Sequence, residues 1–240
     1  MESFSETTVH SLNTLVVMAK APRPGRVKTR LAQCLPVEAV TELYRCLLDD
    51  TMALAHSLDT VEVAIMCPES DVYELSCWAG DGVRVVGQKG KGLAAALTSV
   101  FAQFAGADQH SIIAFNSDSP HLPASVLEGA FKTLAVHDVV VGPTHDGGYY
   151  LVGAKAAHPA LFDGGGMGTT SALEGLLARA RGLQLSVGFT DAFYDIDVEG
   201  DLTRLAAELR LDPSRAPRTA LWLKRWGRAV TKLRTGTGDL

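Results

Sequence analysis

Residues 20–30 read Lys20-Ala-Pro-Arg23-Pro24-Gly25-Arg26-Val-Lys28-Thr-Arg30, five cations with no acid among them. Such side chains form charge-assisted hydrogen bonds to phosphate oxygens, and two prolines beside Gly25 stiffen or sharply turn the backbone that carries them. Lys20, Pro24, Gly25, Arg26, Lys28 and Arg30 are therefore candidates to grip phosphate, with a solvated basic turn as the alternative. The spacing matches neither the Walker A loop nor the dinucleotide G-x-G-x-x-G, which removes the usual ATPase and dehydrogenase signatures.

Two carboxylate sites complement this loop. Asp118 ends the apolar run that begins at Ser111 and precedes Pro120; Mg²⁺ takes one or two carboxylates together with substrate phosphates and water, although a helix N-cap would also use an Asp here. In Tyr194-Asp195-Ile196-Asp197 an extended backbone turns both aspartates to one face and Ile196 to the other, so the pair can meet one cation. Without a cation, two such charges repel. Asp118, Asp195 and Asp197 are the candidate ligands for Mg²⁺ or Mn²⁺, while Asp201 is assigned to capping the next helix. Further along, Pro143-Thr-His-Asp146-Gly147-Gly-Tyr149-Tyr150 separates two apolar runs. A plain hairpin explains Asp-Gly-Gly but requires neither the Pro-Thr-His before it nor the tyrosines after it. Asp146, Gly147 and Tyr149 are expected to face an acceptor or a sugar, and Lys28, Asp118 and Asp146 to act at the reacting atoms.

These groups need a scaffold, and the hydrophobic pattern supplies one. Short β-branched runs at Leu15–Ala19, Val61–Met66, Val83–Val86, Ile112–Phe115, Val139–Val141 and Tyr149–Val152 alternate with helical periodicity near 37–57, 92–105, 123–135, 169–181 and 198–209. Runs such as LVVMA and SIIAF are apolar on both faces, as strands covered by helices on both sides must be. The expected fold is a three-layer α/β/α, Rossmann-like, mixed but mostly parallel sheet. Neither repeats nor a long linker divide the chain, so residues 1–240 are expected to form one domain with a C-terminal helix at about 215–234.

Composition narrows the partners. The formal charge is −5, yet residues 20–30 hold five basic residues and 215–234 hold seven, leaving ten of the 22 to set against all 27 acids. An acidic body with one compact basic loop fits a small polyanion and argues against nucleic acid. No apolar run reaches the roughly 18 residues of a membrane span, and the start lacks a signal-peptide pattern, so a cytoplasmic protein without membrane insertion is expected. Cys34, Cys46, Cys67 and Cys77 form no C-x-x-C pair. In the last helix Trp222, Trp226, Val230 and Leu233 share one face opposite a basic one, which suits docking on the same chain or on a partner in a homodimer.

Lys20–Leu31, Asp118–Pro120, Asp146–Tyr150 and Asp195–Leu202 together resemble the nucleotide-diphospho-sugar transferase superfamily, the fold of GT-A glycosyltransferases and nucleotidyltransferases. Within it they are most similar to a bacterial glycosyltransferase-like family marked by K-x-P-x-P-G-x-V-K-T-R-L and D-G-G-Y-Y. The resemblance spans residues 14–205. It implies a nucleotide-sugar or NTP whose phosphates meet Lys20, Gly25, Lys28 and Arg30, a metal on Asp118 with Asp195 and Asp197, a nucleotide contact at Gln88, and a small-molecule acceptor. Glycosyl transfer is the implied reaction. The segment Gly92-Leu-Ala-Ala-Ala-Leu97 instead resembles guanylyltransferases, which keeps nucleotidyl transfer of an NTP to a phosphorylated small molecule as the alternative, and a non-catalytic nucleotide-binding protein as the third.

Overall fold

The computed structural model describes residues 13–105, 111–163 and 171–235, with side chains to residue 227 in the last segment. Its sheet contains β1 (Asn13–Met18), β2 (Val61–Pro68), β3 (Arg84–Gln88), β4 (Ser111–Asn116), β5 (Val139–Pro143), β6 (Tyr149–Ala154) and β7 (Val187–Phe189), in the order β3-β2-β1-β4-β6-β5-β7. Neighbours run parallel except where β6 pairs with β4 and β5. The helices among the described residues are α1 (Val37–His56), α2 (Val72–Ala79), α3 (Gly92–Phe104), α4 (Ala124–Val136), α5 (Ala172–Gly182), α6 (Glu199–Leu211) and α7 (Pro217–Thr235).

The two-residue period of β1 explains the layering. Leu15 and Val17 pack with Leu48 and Met52 of α1, Leu75 of α2 and Leu127 of α4, whereas Val16 points the other way, to Val100 and Phe101 of α3 and Leu176 of α5. The strands therefore read as apolar throughout. At Gly153 in β6 a Cβ would sit 2.8 Å from both Ile113 Cγ1 and Val140 Cγ1, so the close approach of β4, β6 and β5 requires glycine.

The mostly parallel three-layer sheet matches the sequence expectation, and two elements were not anticipated. The eight-residue α2 carries Tyr73 and Trp78 on its exposed side, which blurs its helical period, and β7 has only three residues. Residues 169 and 170, at the start of the expected fifth helix, lie outside the described residues, as do the side chains of Val230 and Leu233.

The strand order sets the position of any ligand. From β1 the chain runs outward through β2 to β3 and then returns past β1 to β4, so the connections leaving β1 and β4 diverge. Such a switch point opens a crevice at the carboxyl ends of the strands. The loop from Lys20 and the turn at Asp118 flank it.

Beyond the sheet, Trp222 and Trp226 of α7, stacked 6.0 Å apart, join Leu43 and Leu47 of α1 and Leu205 of α6 in a third apolar cluster. Asp50, on α1 and buried, caps α7 from outside: its carboxylate accepts hydrogen bonds from Arg218 N (3.1 Å) and Thr219 N (2.8 Å). Both are first-turn amides that α7 cannot satisfy itself. Asp50→Ala is thus expected to cost about 2–3 kcal/mol and to loosen α7 before the sheet melts. Urea unfolding followed by tryptophan fluorescence checks this, and coincident, unshifted transitions would rule it out. No helix of the described residues is long and apolar enough to cross a membrane.

Candidate active site

A cavity of about 520 Å³ opens at the switch point, lined by Lys20, Arg26, Lys28, Arg30, Gln88, Asp118 and Asp197, with Tyr44, Gly92 and Leu93 among its other walls. Small-molecule sites commonly span about 300–1,000 Å³. Several contacts of high sequence separation hold the loop against the sheet. Lys20 N donates to the Tyr44 hydroxyl at 3.0 Å, which also pairs with Ser117 Oγ at 3.0 Å; Ala21 N donates to Asp71 Oδ2 at 2.9 Å. Tyr44 is buried, and burial raises its phenol pKa above the ordinary value, so it serves as a neutral peg.

The five loop cations divide into three groups. Arg23 is bound to Asp71 (2.9 Å) and Glu74 (2.8 Å), a strut outside the cavity lining. Lys28 Nζ lies 2.9 Å from Asp118 Oδ2 and 3.5 Å from Asp197 Oδ1, and Arg30 Nη1 lies 2.8 Å from Asp197 Oδ2. Lys20 and Arg26 are exposed on the cavity wall, and their side chains have no ion pair or hydrogen bond among the described residues. Pro24 and Gly25, with Gly25 at φ 71°, shape the turn without lining the cavity.

The aspartates converge through backbone pairing. Ile196 N donates to Asp118 O at 3.0 Å and Ser119 Oγ to Tyr194 O at 3.0 Å, which lays the 194–197 segment along the turn after β4. Ile196 is fully buried while Asp197 faces Lys28 and Arg30, the alternation expected of an extended chain. Asp201 accepts from Asp197 N and Val198 N at 2.9 and 2.7 Å and so caps α6. Burial, together with the neighbouring charges of Asp118 and Asp197, pushes the Asp195 carboxyl up to about 6 against the pull of Lys28. For Lys28 the balance is reversed: burial disfavours the ammonium, but Asp118, Asp197 and Asp195 outweigh it and hold its pKa above the ordinary value.

Among the described residues no three His, Cys, Asp or Glu side chains form a ready metal cage. An ammonium stands between two of the expected ligands instead, because the carboxylates of Asp118 and Asp197 in one cavity, with the charge of Asp195 nearby, require positive charge between them. Hard carboxylate oxygens arranged about a cation fit Mg²⁺ or Mn²⁺ by donor chemistry, with Lys28 Nζ standing at the position of the positive charge. Lys28 also sits at φ 47°, a left-handed conformation that costs a non-glycine residue about 1–2 kcal/mol. Strain of this kind collects at functional sites.

The 143–150 turn behaves differently. It is a hairpin in which Asp146 Oδ1 accepts from Thr144 Oγ1 (2.5 Å) and Gly148 N (3.2 Å), so the carboxylate closes its own turn, and it does not line the main cavity. The Thr144 hydrogen bond is the chief reason its pKa lies below the ordinary value, with Arg30 adding a weaker electrostatic pull. Gly147 lines a second cavity with Leu173 and Arg181, and Tyr149 packs on the apolar cluster beneath α5, where burial pushes its phenol up to about 12. The structure thus brings Lys20, Arg26, Lys28, Arg30, Gln88, Asp118 and Asp197 to one cavity, with Asp195 outside its lining but near enough for its charge to act on Lys28. It leaves Asp146, Gly147 and Tyr149 on a neighbouring turn.

Sequence reasoning missed Tyr44, which looked like one more apolar position of α1, and His121. The His121 ring is fully buried, 4.9 Å from Phe193 and 4.5 Å from Tyr194, with neither nitrogen hydrogen-bonded among the described residues. Burial, aided by Arg215 and Arg204, lowers its pKa to about 3; Glu208, ion-paired to both arginines, is the acid of this corner. The native ring stays neutral where the unfolded one protonates. Its contribution to stability is therefore complete above about pH 6.5 and is lost as pH falls toward 3, at up to about 1.4 kcal/mol per unit. Thermal unfolding at pH 7.5 and pH 5 is expected to show a drop that His121→Phe reduces, and identical drops in both proteins would refute it.

The geometry can be set beside known proteins. A family described as an uncharacterized protein conserved in bacteria (DUF2064) matches residues 51–169. No curated protein matches the sequence. The chain is similar to a solved structure described as a candidate nucleotide-diphospho-sugar transferase from Desulfovibrio desulfuricans G20, with 25% identity and a TM-score of 0.83 over 92% of this chain and 97% of that one. A manganese complex of Rv0371c from Mycobacterium tuberculosis H37Rv is 20% identical, with a TM-score of 0.51 over 81% of this chain and 97% of that one. A CMP:2-keto-3-deoxy-manno-octonic acid synthetase complexed with CTP is 11% identical, with a TM-score of 0.52 over 84% and 100%. The chain has the fold of nucleotide-diphospho-sugar transferases and nucleotidyltransferases, and the resemblance drawn from its motifs holds at that level.

Proposed function

We propose that this chain is a metal-dependent transferase that binds a nucleotide-diphospho-sugar in the switch-point cavity and passes the sugar to a small-molecule acceptor. The observation that carries this reading is the presence in one cavity lining of Lys20 and Arg26, whose side chains have no ion pair among the described residues, together with the carboxylates of Asp118 and Asp197. Lys20 and Arg26 bind and orient the diphosphate. Gln88, whose Nε2 donates to Gly90 O at 3.0 Å, stands at the end of β3 where the nucleoside end of the ligand would lie. Asp118, Asp195 and Asp197 would hold Mg²⁺ or Mn²⁺, and a bound ion would supply neutralising charge to the departing diphosphate. Lys28 and Arg30 add positive charge where negative charge grows, in a site that burial keeps partly dry.

Nucleotidyl transfer is the second reading. It is favoured by the concentration of cations in one loop and by the likeness to a synthetase whose structure holds CTP. Thermal shifts with NTPs and nucleotide-sugars, with and without Mg²⁺, test both. Saturation near 100-fold above Kd stabilises the native state by about 2.7 kcal/mol, roughly 5–10 °C for a chain of this size. A Mg²⁺-dependent shift with a nucleotide-sugar, followed by release of nucleoside diphosphate, supports glycosyl transfer. A shift with an NTP alone, and release of pyrophosphate, favours nucleotidyl transfer, and no shift with either class defeats both readings.

A further inference from the structure

We propose that the Lys28 ammonium is a stand-in cation which occupies the carboxylates of Asp118 and Asp197, within the field of Asp195, and keeps divalent metal out until a phosphate-bearing substrate draws it away. This inference rests on the reading that those carboxylates hold the metal.

Lys28 is an unusual lysine for a loop. Its side chain is 4% exposed, its ammonium spans Asp118 and Asp197 at 2.9 and 3.5 Å, and its backbone is left-handed. Arg30 completes the charge balance from the other oxygen of Asp197 at 2.8 Å. Lys28 and Arg30 thus balance the cavity carboxylates Asp118 and Asp197, whereas Lys20 and Arg26, also in the lining, have no acid paired to them among the described residues. A free divalent ion entering alone must expel a buried ammonium into a neighbourhood already rich in positive charge. Like charges gathered in one cavity repel one another. A di- or triphosphate changes the balance, because its oxygens neutralise Lys20 and Arg26 and offer the lysine a new partner. The long stem of Lys28 permits that exchange without moving its backbone.

Metal and phosphate then bind cooperatively, and the coupling is reciprocal: each raises the affinity of the other by one factor. The left-handed backbone holds the stem in the pocket, which keeps the ammonium from drifting to solvent in the absence of substrate.

The test uses Mn²⁺ alone, measured as free ion by electron paramagnetic resonance, on the full chain. Lys28→Met removes the charge at similar length, and Lys28→Asn removes it with a residue that tolerates a left-handed backbone. Both are expected to bind Mn²⁺ about tenfold or more tighter than the parent, and the pair Lys28→Met with Asp118→Asn to lose that gain. Equal, measurable affinity in the parent and both single variants overturns the stand-in role while leaving the metal reading of the carboxylates in place. No Mn²⁺ binding by any of the proteins overturns both. A second measurement needs no variant: acetylation of Lys28 by acetic anhydride, read by peptide mass, is expected to be slow without metal and several-fold faster at saturating Mn²⁺. Unchanged labelling at a concentration that fills the site also overturns the proposal.

Discussion

Asp118→Asn is expected to reduce Mg²⁺-dependent nucleotide affinity and turnover by about 100-fold or more, equivalent to some 2.7 kcal/mol. The substitution keeps the shape of the side chain and the Asp118 carbonyl that receives Ile196 N, so the 194–197 segment stays in register. What it removes is one negative charge at the end of β4. From the sequence, a ligand at a strand edge should cost little stability when replaced. The structure revises that expectation, because Asp118 is the nearer partner of a buried ammonium. Leaving Lys28 to Asp197 at 3.5 Å and to the charge of Asp195 is expected to cost about 1–3 kcal/mol, below the full penalty of an orphaned buried charge. Calorimetric titration with and without Mg²⁺, alongside thermal melts, separates the effects. A variant that melts lower yet keeps the parent's Mg²⁺-dependent affinity would show that Asp118 only anchors Lys28.

The extent to which the fold was legible follows from how each element advertises itself. Strands β1, β4 and β5 are apolar on both faces, and no other element of their length buries both sides, so the three-layer sheet could be read directly. The short α2 carried no such mark, and its absence from the expected scheme hid Asp71 and Glu74, the anchors of Arg23. The same gap left Arg23 without a stated role. Proximity of Asp118 to Asp197 was implied by the family resemblance of their motifs, and the hydrogen bond from Ile196 N to Asp118 O provides it. The position of Lys28 between them was not, since a lysine reads as surface until its burial and partners are known. Asp146 shows the two uses of one residue: Asp-Gly-Gly is what a tight turn needs, and its Oδ1 accepts from Thr144 Oγ1 and Gly148 N.

Replacing Lys20 and Arg26 together with Met is expected to weaken binding of a nucleoside diphosphate by about 100- to 1,000-fold while leaving the bare nucleoside within about twofold. Each side chain lines the cavity without an acidic partner among the described residues, so its charge is available to a ligand, and a charge-assisted hydrogen bond is worth about 1.5–3 kcal/mol. The loss should shrink as salt rises, because exposed charges are screened over about 8–10 Å at ordinary ionic strength. Stability should be unchanged or slightly higher, since no ion pair among the described residues is broken and two like charges are removed. Arg23→Met is the internal control. It deletes one of the same five cations but severs the contacts to Asp71 and Glu74, so it should soften the loop and lower the melting temperature while largely sparing the difference between diphosphate and nucleoside. Isothermal titration of all three proteins with a nucleoside and its diphosphate decides the matter. An equal loss for both ligands in the Lys20 and Arg26 variant, or an Arg23 variant as selective as it, would mean that the loop acts through its fold and not through its charges.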